Sequence, residues 1–328
     1  MRELIISKNE ANQRLDKYLA KYLNQAPTSF IYKMLRKKNI VLNGKKAAGK
    51  EKLQAGDSVK LFLAEDTIEK FIEQKHTVRK RLPGHMPEVI YEDADVLLLN
   101  KPAGMLSQKA NPSDVSVVDY ITEYLLRSGQ VTETDLHTFH PGICNRLDRN
   151  TSGLIAAGKS LAGLQELSLG FHDRTFRKYY HCLVKGKVDK QIHLNGYLKK
   201  DHRTNRVTVI QESETDAQPI ETEYRPLESN GKYTLLEVHL ITGKTHQIRA
   251  HLASAGHPLI GDYKYGDRSL NDRFREKYGL KSQLLHAYRL EFPELDGALK
   301  EVSGRAFIAE EPILFQKIAK DCIRQNDR

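Results

Sequence analysis

The chain has 328 residues, 52 Lys+Arg against 42 Asp+Glu and a formal charge of +10, which argues for two domains and points to a polyanionic partner such as nucleic acid. With 29% of residues charged and no apolar run near the ~20 residues that cross a bilayer, a membrane-spanning helix is excluded. No secretory signal opens the chain, and Cys144, Cys182 and Cys322 lie far apart without a C-x-x-C pairing, so neither a disulfide framework nor a zinc knuckle is expected and a cytoplasmic location is.

From Arg14 to Leu23, Leu15, Tyr18, Leu19, Tyr22 and Leu23 fall at helical spacing, and Thr28 is placed to cap a second helix burying Ile31, Met34 and Leu35. The apolar "IVL" then runs into Asn43-Gly44, a strong hairpin signal, and a strand near Ser58 to Leu63 completes a compact αα-β unit over residues 1–63. Basic residues crowd its helix end and hairpin: Arg36, Lys37, Lys38, Lys45 and Lys46. Residues 64–86 mix charges around Pro83-Gly84 and read as a linker. A second domain, 87–328, opens with two strands around an acidic turn, "EVIYEDADVLLLNKPAG", and a helix capped by Ser116 with Val117, Ile121 and Leu125 inward. "LIAAG" reads as a buried strand and "SLAGLQELSLGF" as a helix with Leu161, Leu164, Leu167 and Phe171 on one side. Further strands are expected at "KYYHCLV", "RVTVIQE", "IETEYRPL", "YTLLEVHL" and "QLLHAYRLEF", the last with Leu284, His286, Tyr288, Leu290 and Phe292 on one face. A closing helix from about Pro312 buries Leu314, Ile318 and Cys322. Many consecutive strands with interspersed helices indicate the α+β class, with a mixed, largely antiparallel sheet flanked by helices.

One motif misleads. Gly153 to Ser160, "GLIAAGKS", matches the phosphate-binding pattern G-x-x-x-x-G-K-[ST] letter for letter. Such a loop needs flexible backbone with inward amides, whereas "LIAA" suits a strand. A magnesium-holding aspartate is also missing, since "DVLLLN" ends in Asn100. Nucleotide hydrolysis is therefore the weakest alternative. No metal is expected, because His246 and His251 lie five apart rather than four and no H-E-x-x-H occurs. Cys144 has no evident base and reads as a small buried residue.

Three stretches lack a purely structural excuse: "NRLDRNTSGL", "RKYYHCLVKG" and "TGKTHQIRAHLASAGHPLIGDYKYG". In the first, Asp148 lies between Arg146 and Arg149. A cation beside a carboxylate favours its ionised form, making it a poor proton donor but a ready nucleophile or base. In the third, Thr245 is placed to cap a helix whose inner face holds Ile248 and Leu252, leaving Arg249 on another face, where a solvated side chain is the bland reading. Tyr180 on its strand equally suits an ordinary core aromatic.

Taken together the motifs resemble those of the RluA-type pseudouridine synthases. The family's "H-R-L-D-x-x-T-S-G-L" corresponds to "NRLDRNTSGL", its "K-x-Y-x-x-x-V-x-G" to "KYYHCLVKG" and its "G-R/K-T-H-Q-I/L-R-x-H" to "GKTHQIRAH", with "NKPAG" and "LLHAYRLEF" in matching order across about residues 87–295. Asn145 replaces the family's histidine, and Ser107-Gln108 its frequent histidine-proline. The first sixty residues similarly resemble the small RNA-binding domain named after ribosomal protein S-four, which implies a phosphate-reading surface of Arg36, Lys37, Lys38, Lys45 and Lys46. The resemblance implies a pseudouridine synthase fold and isomerisation of uridine in structured RNA, ribosomal most of all and transfer RNA as the other candidate. It makes Asp148 the nucleophile, Arg249 its orienting cation and Tyr180 the aromatic stacked on the flipped base. Arg146 would fill the vacated stack, and Arg149, Lys101, His246 and Gln247 would contact RNA or substrate. It implies no cofactor, and a monomer is expected. A non-catalytic RNA-binding protein is the alternative of a different class.

Overall fold

The computed structural model describes residues 1–7, 9–72, 82–133, 135–201 and 203–324. The first unit comprises strand β1 (Arg2–Ile5), helices α1 (Leu15–Tyr22) and α2 (Thr28–Arg36), strands β2 (Ile40–Leu42), β3 (Lys45–Lys46) and β4 (Ser58–Leu61), and helix α3 (Glu65–Lys70). Its sheet runs β1-β4-β2-β3. Asn43 and Gly44 both take positive φ, 49° and 73°, as a tight hairpin turn demands. Leu15, Leu19, Ile31, Leu35, Val59 and Leu61 are buried together, each such side chain contributing about 1.5–3 kcal/mol.

The second unit holds β5 (Glu88–Glu92), β6 (Val96–Lys101), α4 (Val117–Arg127), β7 (Gly142–Ile143), β8 (Ser152–Gly158), α5 (Leu161–His172) and β9 (Arg177–Lys185). There follow β10 (Ile192–Asp201), β11 (Arg206–Ile210), β12 (Gln218–Ser229), β13 (Tyr233–Leu240), α6 (Gln247–Ser254), α7 (Arg268–Tyr278), β14 (Leu285–Glu291), β15 (Ala306–Ile308) and α8 (Ile313–Arg324). One sheet runs β11-β10-β12-β13-β9-β14-β8-β6-β5, with β15 on β14 and β7 on β8. The β14–β8 pair is parallel and the other pairs are antiparallel. This is the expected α+β architecture. Strands β6 and β8 read as continuous apolar runs because both faces are covered. Val96, Leu98, Leu154 and Ala156 face α5 and the segment from Leu290 to Ala309, while Leu97, Leu99, Ile155 and Ala157 face α4.

The expected linker is only partly one. Ile68 of α3 is fully buried and Phe71 and Ile72 pack on the first unit's core, so that unit extends past residue 63. Residues 73–81 lie outside the described residues. At the far side the Tyr120 hydroxyl donates to the Pro83 carbonyl, and Met86 packs beneath α4. Mixed charges hid this helix, because its apolar contacts are few and sit near its end.

Local expectations fail in four places. Pro27, not Thr28, precedes α2, since its fixed φ of −58° suits the helix entrance. His246, not Thr245, precedes α6. In α8, Ile318 and Cys322 are buried as expected, but Phe315 takes the buried place in the first turn and Leu314 is 39% exposed. In β14 a bulge between Ala287 and Arg289 breaks the alternation, so Leu290 and Phe292 join a different cluster from Leu284.

The phosphate-loop match dissolves in the structure. Residues 152–158 are strand β8, Ser160 caps α5 by accepting the Gly163 N–H at 3.0 Å, and the buried Lys159 ammonium is paired with Glu92 at 2.6 Å. Gly153 serves packing instead. Its φ is 112°, and a Cβ there would stand 2.3 Å from the Ala287 carbonyl oxygen on β14. Gly153→Ala is therefore expected to cost more than about 2 kcal/mol in urea unfolding. A midpoint unchanged from the parent would show that β8 and β14 need no such close approach.

Candidate active site

Asp148 sits on the loop between β7 and β8, and that loop is clamped on both sides of it. Before it, the Ser107 hydroxyl donates to Leu147 O at 2.7 Å and accepts the Leu147 N–H at 3.1 Å. After it, Arg149 O accepts from Lys101 Nζ at 3.1 Å and from Gly104 N–H at 2.8 Å. Asn145, where the family has histidine, ties the loop to β8 by donating to Leu154 O at 3.2 Å and accepting from Ala156 N–H at 2.7 Å. Both departures from the family pattern thus have structural work of their own.

The carboxylate's partner is not a neighbour in sequence. Arg249, on α6, donates from Nη1 to Asp148 Oδ2 at 3.0 Å. Arg146 is exposed on the rim of the same cavity, and the Arg149 guanidinium donates to Gly104 O at 3.1 Å. Asp148 thus bonds to the cation that the family resemblance pointed to, 101 residues away, and not to either flanking arginine. Nor is Arg249 solvated. Its side chain is 9% exposed and donates from Nε and Nη2 to Asp262 at 2.7 and 3.0 Å. Burial opposes its charge, and the Asp262 bond and charge outweigh that, holding the guanidinium above its ordinary value. Asp262 is wholly buried and also accepts the Lys264 and Tyr265 N–H groups. Asp148, by contrast, is 24% exposed, so one of the two anions on Arg249 faces solvent.

Tyr180 lines the same cavity with Leu147, Thr151, Leu240, Lys244, Ile248 and Leu285. It comes from the middle of β9 and packs with Val238, Ile248 and Leu252, so it is both core aromatic and cavity wall. Burial, reinforced by Asp148, pushes its phenol well above the ordinary tyrosine range. His246 takes a left-handed φ of 56° at the head of α6. Its Nδ1 lies 3.0 Å from Tyr265 Oη, which already accepts the Val207 N–H at 3.0 Å, so Tyr265 donates and the imidazole proton is assigned to Nε2. That nitrogen lies 3.9 Å from Asp148 Oδ2. Burial lowers the His246 pKa, with Asp148 acting in the opposite sense.

Two residues expected to contact substrate are buried, although Gln247 also lines the cavity. Lys101 is fully buried, and its ammonium donates to the carbonyls of Pro102, Met105 and Arg149 at 2.9–3.1 Å. Burial draws it down to about 7, with Asp148 pulling it back up. Gln247 accepts from Thr242 and Lys244 N–H, and donates to Glu221 O and Thr222, at 2.8–3.0 Å. Its amide has no capacity left for a ligand. Sequence reasoning missed Ser107, Asp262 and Tyr265. Asp262 lay inside the quoted "GDYKYG", and a glycine-flanked acid followed by aromatics was its only signal. Arg36, Lys37, Lys38, Lys45 and Lys46 are all exposed on the end of α2 and the β2–β3 turn. Cys144 is half-buried, its thiol pushed up to about 11 by burial. Among the described residues no cluster of potential metal ligands occurs.

The Asp262 carboxyl is held below its ordinary 3.8 because its bond to Arg249 outweighs burial. A depressed acid contributes stability that is complete above its unfolded value and lost as pH falls through the folded one. Asp262→Asn should therefore lose roughly 3 kcal/mol near neutral pH, by leaving Arg249 undercompensated, and show a shallower loss below about pH 4. Urea unfolding between those pH values reads both effects. An asparagine variant as stable as the parent near neutrality would contradict the assignment.

Comparison with known proteins places this geometry. Residues 95–254 match the family model described as RNA pseudouridylate synthase. The chain is 32% identical over 290 residues to ribosomal large subunit pseudouridine synthase C of Vibrio vulnificus, covering 88% of this chain and 87% of that protein. It is 31% identical over 294 residues to the protein of the same name in Escherichia coli, with the same coverage. The human protein RNA pseudouridylate synthase domain containing 4 shares the fold with a TM-score of 0.57 at 20% identity, over 71% of this chain and 92% of that one. The family match extends across both the Asp148 loop and α6, and the chain belongs to the RNA pseudouridylate synthase family.

Proposed function

We propose that this chain converts uridines of large-subunit ribosomal RNA to pseudouridine, with Asp148 as the nucleophile. The observation that carries the reading is the Asp148 carboxylate, bonded to Arg249 at 3.0 Å inside a cavity that also presents Tyr180. Two relatives bearing the ribosomal large subunit in their names support the choice of RNA. A uridine in structured RNA must leave its stack to reach the cavity, at a cost of a few kcal/mol. Arg146, exposed on the rim, is suited to filling the vacated stack, and Tyr180 to receiving the base, which such stacking stabilises by ~1–3 kcal/mol. Arg149, exposed beside it, suits backbone contact, and the Nε2–H of His246 faces the reacting region.

Asp148 forms a covalent bond to the nucleoside while Arg249, fixed by Asp262, holds the carboxylate in position. The N1–C1′ bond breaks, the uracil turns, a C5–C1′ bond forms, and the bond to Asp148 breaks, which returns its carboxylate. Carbon 5 gives up one proton and nitrogen 1 takes one up, so no atom is gained or lost and no cofactor is called for. The buried phenol of Tyr180 rests protonated. Tyr180 can take the carbon 5 proton only as it gives up its own, and nitrogen 1 requires one, so the two transfers leave the phenol protonated as it began. The five exposed basic residues of the first unit supply phosphate contacts that position the RNA. We place the protein in the cytoplasm as a monomer.

Asp148→Asn should abolish tritium release from carbon 5 of labelled uridine in RNA while RNA binding survives, and Tyr180→Phe should bind but turn over slowly. Residual turnover in Asp148→Asn near the parent rate would sink the nucleophile assignment. Removing residues 1–72, which takes away the whole first core including Ile68, Phe71 and Ile72, should weaken RNA binding and flatten its salt dependence while leaving the second unit folded. An unchanged slope would show that the first unit makes no phosphate contacts.

A further inference from the structure

Charged side chains on the strands beside β9 are largely paired with one another. On the opposite face of β9, Glu237 accepts from Arg225 at 2.9 Å and from Arg289 at 3.2 Å, Arg289 lies 3.9 Å from the centre of the Tyr179 ring, and Glu223 lies 3.6 Å from His239. Lys178 breaks the rule. It is half-buried on β9, two residues before Tyr180 and on the same face of the strand. A side chain built on Gly243 would come within 3.5 Å of its Nζ, which places the ammonium at the turn after β13. The next residue in that turn, Lys244, lines the Asp148 cavity.

Among the described residues the ammonium of Lys178 has no acidic partner, and the charge that acts on it is that of Arg174, another cation. Arg174 and Arg177 are both exposed at the same end of β9. Burial, with Arg174 adding to it, draws the Lys178 ammonium down to about 8. Half-burying a cation among cations is unfavourable unless an anion completes the site. The fold supplies none, and an RNA strand carries one phosphate per nucleotide.

We propose that Lys178, with Arg174 and Arg177, seats a backbone phosphate of the RNA next to the uridine that enters the Asp148 cavity. The inference rests on the RNA-isomerising reading of that cavity. Two strand residues span about 7 Å, so an anion on Lys178 neighbours a nucleotide lying on Tyr180. The seat reads no base and acts by holding the strand in register with the nucleophile.

The test is RNA affinity of the full chain as a function of salt, with steady-state pseudouridine formation measured alongside. Lys178→Met keeps the apolar stem and removes the charge, and it should flatten the slope of log affinity against log salt by about one unit, equally for unrelated RNA sequences. It should raise KM while leaving kcat within about twofold, and Lys178→Arg should restore both the slope and KM. The Arg174→Ala, Arg177→Ala double variant alters exposed side chains alone and should also flatten the slope. A parental slope in Lys178→Met, or in the double variant if Lys178→Met does not fold, overturns the seat, because lost packing leaves the number of phosphate contacts unchanged. Failure of the underlying reading shows separately, as a parent protein that forms no pseudouridine.

Discussion

The guanidinium of Arg249 is the charge around which the site is organised. It is almost fully buried, and an arginine cannot escape that cost by losing its proton. Asp262 meets it with two short bonds and is itself buried and further satisfied by two backbone amides, so that pair closes on itself. Of the three N–H groups that remain, one on Nη1 points at Asp148, the partner that solvent can reach. The arrangement separates holding from reacting. The buried carboxylate keeps the cation in place, and the exposed one keeps the cation's help while staying free to meet a ligand.

Everything that surrounds the pair serves to place the exposed carboxylate. Ser107 fixes the residue before Asp148, and Lys101 with Gly104 fixes the residue after it. Gly153 lets β8 pass close against β14, which brings the loop ahead of β8 over the same sheet that carries Tyr180 on β9. Gln247, fully bonded, anchors the first turn of α6 so that Arg249 projects toward the loop. These supports come from three separated chain segments and are mostly hydrogen bonds between buried groups, where a lost partner leaves a costly orphan. Rigidity of this kind suits a nucleophile whose target must be brought to it, since orientation is then supplied by the protein in advance of binding.

Periodicity carried the strands and helices well where each had a clean apolar face, as in β6, β8, α4 and α5. It failed where contacts across the fold decide the outcome. The α3 helix is short and mostly charged, and only Ile68 with the following Phe71 and Ile72 shows what it covers. The bulge at Tyr288 follows from pairing with β9 and has no local signature. At the site the residue types were legible, while the Arg249 partner of Asp148 came only through the family resemblance and Asp262 was missed. A sequence shows Asp148 between two arginines, and proximity along the chain makes that the obvious pairing. The loop instead turns both side chains outward, and the effective cation arrives from α6, 101 residues on. Lys101 and Gln247 carry polar side chains that suit ligand contact, and only their burial reveals that they hold backbone.

The central claim is that Asp148, and no other side chain, bonds covalently to the nucleoside. Substituting fluorine for the carbon 5 hydrogen of the target uridine removes the proton whose loss completes the reaction, so the adduct should persist long enough to be mapped. Peptide mass analysis of the full chain after incubation with such an RNA is the most direct measurement. The account predicts a nucleotide-sized mass addition on the peptide holding Asp148. Adduct on any other residue, from a protein that isomerises ordinary uridine in the same RNA, would contradict it.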